Sequence, residues 1–109
     1  MLIENRRENV RMKTLIPCGI CTRDLDSWGF LLDLSSTGIQ VKTYFQLDPF
    51  QNTLVSFSLS NKFNFKNVEG RIMWVQRTDD YNLVGIRFAG AMDKSSVVSA
   101  MRNLLDQAA

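Results

Sequence analysis

Two groups of residues have the types and the spacing for recognition chemistry. The first is Arg7-Glu8-Asn9-Val10-Arg11, with two arginines four apart. A guanidinium is planar and permanently charged. It bonds in bidentate fashion to phosphate or to the O6/N7 edge of guanine, and it stacks on purine faces. The second group is Asp33-Leu34-Ser35-Ser36-Thr37-Gly38. A carboxylate at Asp33 accepts hydrogen bonds from the N1 and N2 donors of guanine, and Ser35 adds a hydroxyl. Gly38 supplies a backbone conformation that a side chain would block. A solvated basic tail would account for the first group alone, and a polar turn for the second. Brought together, they suggest a guanine nucleotide with accessible phosphates, bound without catalysis.

Bringing them together is the task of the surrounding elements. Residues 1–11 are polar without a usable period and read as a flexible basic arm, with Arg6, Arg7, Arg11 and Lys13 close together. From Met12 the pattern alternates: Met12, Thr14, Ile16, Cys18 and Ile20 share one parity, as in a half-buried strand, and Pro17 suggests an edge or a bulge. Trp28, Phe30, Leu32 and Leu34 alternate next, which leaves Asp33 on the other face. Ile39-Gln40-Val41, the stretch around Val55, Phe57 and Leu59, Val68 to Val75, and Val84, Ile86 and Phe88 supply further strands. Turns fall at Asp24–Ser27, Ser60–Lys62 and Thr78–Asp80. Val97, Met101, Leu104, Leu105 and Ala108 then recur at helical spacing, with Asp93 placed as an N-cap. About six short strands and a C-terminal amphipathic helix predict an all-β fold, a six-stranded antiparallel barrel over 12–109 with its helix at about 93–107. Closure removes exposed sheet edges. In such a barrel the end of the second strand can return to where the arm joins the first, so that arginines for phosphate and purine meet acceptors for a guanine edge.

Composition narrows the chemistry. At 109 residues the chain has the size of one domain. It has no histidine, which removes Ser–His–Asp and Cys–His nucleophile systems and histidine metal sites. Lysine and arginine number 13 against 11 acids, too even a balance for bulk nucleic-acid or membrane binding. No apolar run is long enough for a membrane span, and the first residues lack the apolar core of a signal peptide, so a cytoplasmic location is expected. Cys18 and Cys21 are three apart on an extended strand, too far for a disulfide and too few for zinc, and read as ordinary packing. Trp28 and Trp74 read as core, as do Phe63 and Phe65. Asp79-Asp80 reads as a turn.

With both groups in place the chain resembles the PilZ domain, a bacterial receptor module for cyclic di-GMP. The family carries Arg-x-x-x-Arg on an N-terminal arm and Asp/Asn-x-Ser-x-x-Gly at the following strand junction. Both stand complete here, at Arg7/Arg11 and at Asp33/Ser35/Gly38. Gly70-Arg71-Ile72-Met73-Trp74-Val75 and Tyr81 to Phe88 are also similar to the family, so the likeness covers about residues 4–107. The resemblance implies a stand-alone, non-enzymatic receptor without metal or other cofactor. Arg7 and Arg11 would bind phosphate and guanine, Asp33 and Ser35 would contact a guanine edge, and Gly38 would shape the loop. An arginine just before the first motif arginine, here Arg6, implies an intercalated dimer of cyclic di-GMP. The signal would pass to a downstream effector protein, with outputs such as motility, exopolysaccharide and biofilm formation, adhesion or virulence. A small β-barrel binding single-stranded nucleic acid and a PilZ-like protein-binding scaffold are the competing readings. Low net charge disfavours the former, and the intact arginine motif the latter.

Overall fold

A strand with one apolar face must bury that face, and here the strands do so by closing on themselves. The computed structural model describes the backbone of residues 2–6 and 9–108 and the side chains of residues 11–90 and 95–104. In chain order it contains β1 (Leu2–Arg6), β2 (Asn9–Cys21), β3 (Asp26–Ser35), β4 (Gly38–Thr43), β5 (Asn52–Ser60), β6 (Phe63–Arg77), β7 (Asn82–Phe88) and α1 (Ala91–Ala108). Neighbours follow the order β1-β2-β3-β4-β7-β6-β5, and β2 pairs again with β5. That pairing, Cys18 to Cys21 against Leu54 to Phe57, closes β2 to β7 into the expected six-stranded antiparallel barrel. β1 lies outside the ring and pairs with Asn9–Lys13. Residues 1–11, which show no period in sequence, thus include one strand and the beginning of another.

The barrel interior is filled by Met12, Ile20, Leu31, Leu34, Val41, Val55, Ile72 and Val84, all fully buried. α1 lays Val97, Ala100 and Met101 against β2, β6 and β7, with Leu104 half-buried beside them. These positions recur at three and four residues, the spacing of one helical face. The helix begins at Ala91, so Asp93 lies within its first turn and not at the N-cap.

Two β-bulges correct the sequence reading of which side chains face inward. β3 pairs Leu31 with Val41 and Asp33 with Gln40, which leaves Leu32 as an extra residue. β6 pairs Ile72 with Ile86 and Trp74 with Gly85, which leaves Met73 as another. An extra residue shifts every following side chain to the other face. The inward residues of β3 are therefore Leu31 and Leu34, not the series Trp28, Phe30, Leu32. Trp28 stands on the outer face, 50% exposed, edge-on to Phe30 and Phe45. Trp74, expected in the core, is likewise outside and 43% exposed. Phe63 and Phe65 do pack half-buried against the core, Phe65 against Phe57. Cys18 is buried and Cys21 half-buried, and both are free thiols.

Candidate ligand-binding site

The strand registers place the motif residues side by side on the outer face of the barrel. Arg11 on β2 stands opposite Ser35 on β3, and Lys13 stands opposite Asp33. Asp33 stands opposite Gln40 on β4, and Gly38 stands opposite Arg87 on β7. Gln40 faces Gly85, which in turn faces Trp74 on β6. The two bulges matter here: without Leu32 as the extra residue, Asp33 would share the inward face of Leu31, and without Met73, Trp74 would share that of Ile72. Bulges are a usual means of aiming side chains at sites.

Over this surface opens a cavity of about 400 Å³, within the range of small-ligand sites. Arg11 and Asp33 form one wall, Met73, Trp74 and Arg87 the other. Between them the floor has little side chain, because Gly38 and Gly85 lie there. Their need for glycine is steric. A Cβ on Gly38 would sit 2.1 Å from the Ile86 carbonyl oxygen, and one on Gly85 would sit 2.1 Å from the Trp74 indole nitrogen. No described glycine has a positive φ, so close approach, and not the special backbone conformation expected at Gly38, is what excludes a side chain there.

Asp33 is the electrostatic centre of the site. Arg11 donates from Nη2 to Asp33 Oδ2 at 2.9 Å, and Lys13 donates from Nζ to the same oxygen at 3.0 Å. The side chain of Asp33 is only 8% exposed while that of Arg11 is 56% exposed, so both cations sit above the carboxylate on the solvent side. Oδ1 is buried with no hydrogen-bond partner among the described residues. A buried anionic oxygen left without a donor is costly, and it marks an acceptor available to an incoming N–H.

Ser35 is engaged locally. Its Oγ accepts from the backbone N–H groups of Thr37 and Gly38, each at 3.3 Å, and lies 3.2 Å from the Gly38 carbonyl. It therefore braces the turn that carries the chain from β3 into β4. The backbone N–H of Phe88 donates to the Thr37 carbonyl at 2.9 Å and ties that turn to β7.

The structure thus unites Arg11, Asp33, Ser35 and Gly38 in one cavity. Arg7 and the side chain of Arg6 lie outside the described residues; the backbone of Arg6 ends β1, opposite Asn9. Lys13, Gln40, Trp74, Gly85 and Arg87 were not singled out as site residues by sequence. Two other hollows, of about 590 and 650 Å³, contain no residue of either motif. Among the described residues no group of three or more acids and cysteines could hold a metal ion, and no helix is long and apolar enough to cross a membrane.

Fold and site together define a small closed β-barrel that presents an acid–base pair in an outward cavity floored by glycine. The chain belongs to the PilZ domain family, whose model matches residues 5–107. No curated protein matches the chain in sequence. Among solved structures, the PilZ domain of YcgR from Escherichia coli with c-di-GMP superposes with a TM-score of 0.72 at 13% identity, over 95% of each chain. YcgR from Escherichia coli in complex with c-di-GMP gives 0.73 at 15% identity, over 94% of this chain and 47% of that one. The Bacillus subtilis inhibitor of motility MotI/DgrA gives 0.70 at 13% identity, over 94% and 53%. The chain therefore spans about half the length of the last two, and at these identities the likeness is one of fold.

Proposed function

We propose that this chain is a receptor for cyclic di-GMP. The observation that carries the reading is the pairing of Arg11 with an Asp33 whose second oxygen is buried and unpartnered, in a cavity of a PilZ-family barrel. The Escherichia coli relatives of like fold are complexes with c-di-GMP, which supports the same ligand here. On binding, Arg11 leaves the carboxylate for a phosphate or the Hoogsteen edge of guanine, and Arg7 joins it from the arm. Asp33 then accepts from guanine N1–H and N2–H, which relieves its unpartnered oxygen. Ser35 contacts the same guanine edge while bracing the turn, and Gly38 keeps the floor open. Arg6 holds a second, intercalated cyclic di-GMP.

The chemistry is binding alone: among the described residues the site has an acceptor and cations, and no nucleophile paired with a base. Contact of Arg6, Arg7 and Arg11 with the ligand presents a changed surface to a downstream effector protein, as a population shift. The setting is the cytoplasm. Isothermal titration with cyclic di-GMP tests the reading. Low-micromolar binding at two nucleotides per chain is expected. Absence of binding at that concentration removes the reading, and a ratio of one removes the role of Arg6.

A further inference from the structure

Arg71 and Arg87 are direct cross-strand partners on β6 and β7, and both side chains are exposed on the outer face. Directly opposed residues on paired strands hold their Cβ atoms roughly 5 Å apart, so two like charges there are destabilising unless an anion lies between them. None does among the described residues. Among the described residues the ion pairs are those of Arg11 and Lys13 with Asp33 and of Arg77 with Asp48, so neither Arg71 nor Arg87 has a carboxylate partner. Glu69, two residues before Arg71 on the same strand, pairs with neither.

Arg71 is also held in place. Arg71 has its guanidinium carbon 6.0 Å from the ring centroid of Phe50. Phe50 is 62% exposed and has a φ of 67°, a conformation that bulky residues seldom adopt. Its backbone N–H donates to the Ile72 carbonyl at 2.6 Å, and Ile72 N–H donates to the Gln51 carbonyl at 2.9 Å. The loop before β5 is thereby fastened beside Arg71 and offers it an aromatic surface. Arg87, for its part, lines the cavity across the glycine floor from Arg11.

The cavity therefore has a cationic pole at each rim. We infer that Arg87 and Arg71 form a second phosphate-binding pair, which takes the phosphodiester of the ligand that lies farther from the arm. This rests on the reading of the cavity as a cyclic di-GMP site, and it adds the specificity of that site for a ligand with two phosphates. Two guanidinium groups on adjacent strands converge on one phosphate and make charge-assisted hydrogen bonds from both sides.

Two measurements separate this inference from the receptor reading. In the first, inorganic pyrophosphate is titrated into the full chain and followed by the arginine side-chain Nε resonances. Arg71 and Arg87 signals that move together in the wild type, with the Arg71 signal staying in place in Arg87→Gln, support the pair; signals that stay in place in the wild type overturn it. In the second, cyclic di-GMP is titrated calorimetrically into wild type, Arg87→Gln and Asp33→Ala. An affinity about 10-fold weaker in Arg87→Gln, as for one lost hydrogen bond to a charged group, is expected. Unchanged affinity in Arg87→Gln, together with lost binding in Asp33→Ala, overturns the pair and leaves the receptor intact. If wild type binds no cyclic di-GMP the receptor reading fails, with it the assignment of this pair to that ligand.

Discussion

Asp33 faces outward yet is almost covered, because Arg11 and Lys13 lie over it and the bulge at Leu32 draws it against the sheet. Its stability contribution in the free protein is small. Both cations are more than half exposed, and pairs of that kind contribute under about 1 kcal/mol. The buried, unpartnered Oδ1 works against even that gain. Asp33→Ala should therefore change the free energy of unfolding by no more than about 1 kcal/mol, measured by urea denaturation, while cyclic di-GMP binding in calorimetry is lost. A large loss of stability would place Asp33 in the framework and not in the site. The glycines behave in the opposite way. Gly38→Ala drives a methyl into the backbone of Ile86, which cannot yield without opening the β4–β7 ladder, so a cost of roughly 1–3 kcal/mol is expected. Gly85→Ala meets the half-exposed ring of Trp74, which can swing aside. Its mark should be altered indole emission with little change in the unfolding midpoint. At this scale the sequence pointed to Arg11, Asp33, Ser35 and Gly38 by residue type, and the structure brings these four into one cavity, although close approach and not backbone conformation is what requires Gly38. The sequence was silent on Lys13 and Arg87, whose roles come only from the strands they face.

The elements explain why alternation misplaced the tryptophans. Reading parity along a strand assumes no inserted residue, and β3 and β6, which hold the two tryptophans, each contain one. The signal was nonetheless present. Leu31 and Leu34 are both fully buried although three apart, and Ile72 and Val75 repeat that spacing with Ile72 buried and Val75 half-buried. A strand can turn residues i and i+3 to one side only through a bulge. β5 has its extra residue, Leu59, only at its end, and its alternation of Thr53, Val55, Phe57 and Leu59 was read correctly for its apolar members. Deleting Met73 tests the point. Ile72, Trp74 and Val75 would then alternate regularly, so the core faces survive and cooperative thermal unfolding is retained. The local bend is lost, however, and Trp74 no longer faces the cavity at the same angle. Cyclic di-GMP affinity should fall by about 10-fold or more, a loss comparable to one strong contact. Unchanged affinity would mean that the bulge does not aim the cavity wall.

At the scale of the whole molecule, the near balance of 13 basic and 11 acidic residues conceals an uneven arrangement. Arg11 lines one side of the cavity with Lys13 beside it on Asp33, and Arg87 lines the other with Arg71 as its cross-strand partner, while among the described residues Asp33 is the acid that lines the cavity. The interior shows a different electrostatic constraint. Cys18 is 2% exposed within the core, and burial pushes its thiol from an ordinary 9.0 up to about 12, against a smaller lowering by a backbone hydrogen bond from Ser56. The folded chain thus holds this proton more tightly than the unfolded chain does. The resulting stability is fully present below pH 9.0 and is lost as pH rises from there towards about 12. One such proton gives a slope of at most about 1.4 kcal/mol per pH unit in that window. Cys21 differs in that its thiol donates to Asp26 Oδ1 at 2.9 Å, and that bond is the chief cause of its own raised value. Cys18→Val, which keeps the volume and removes the proton, should therefore unfold in urea with a weaker pH dependence than wild type between pH 9 and pH 11. Parallel curves for the two proteins over that range would show that the barrel admits water to Cys18 before it unfolds, so that the interior opens locally and not only as a whole.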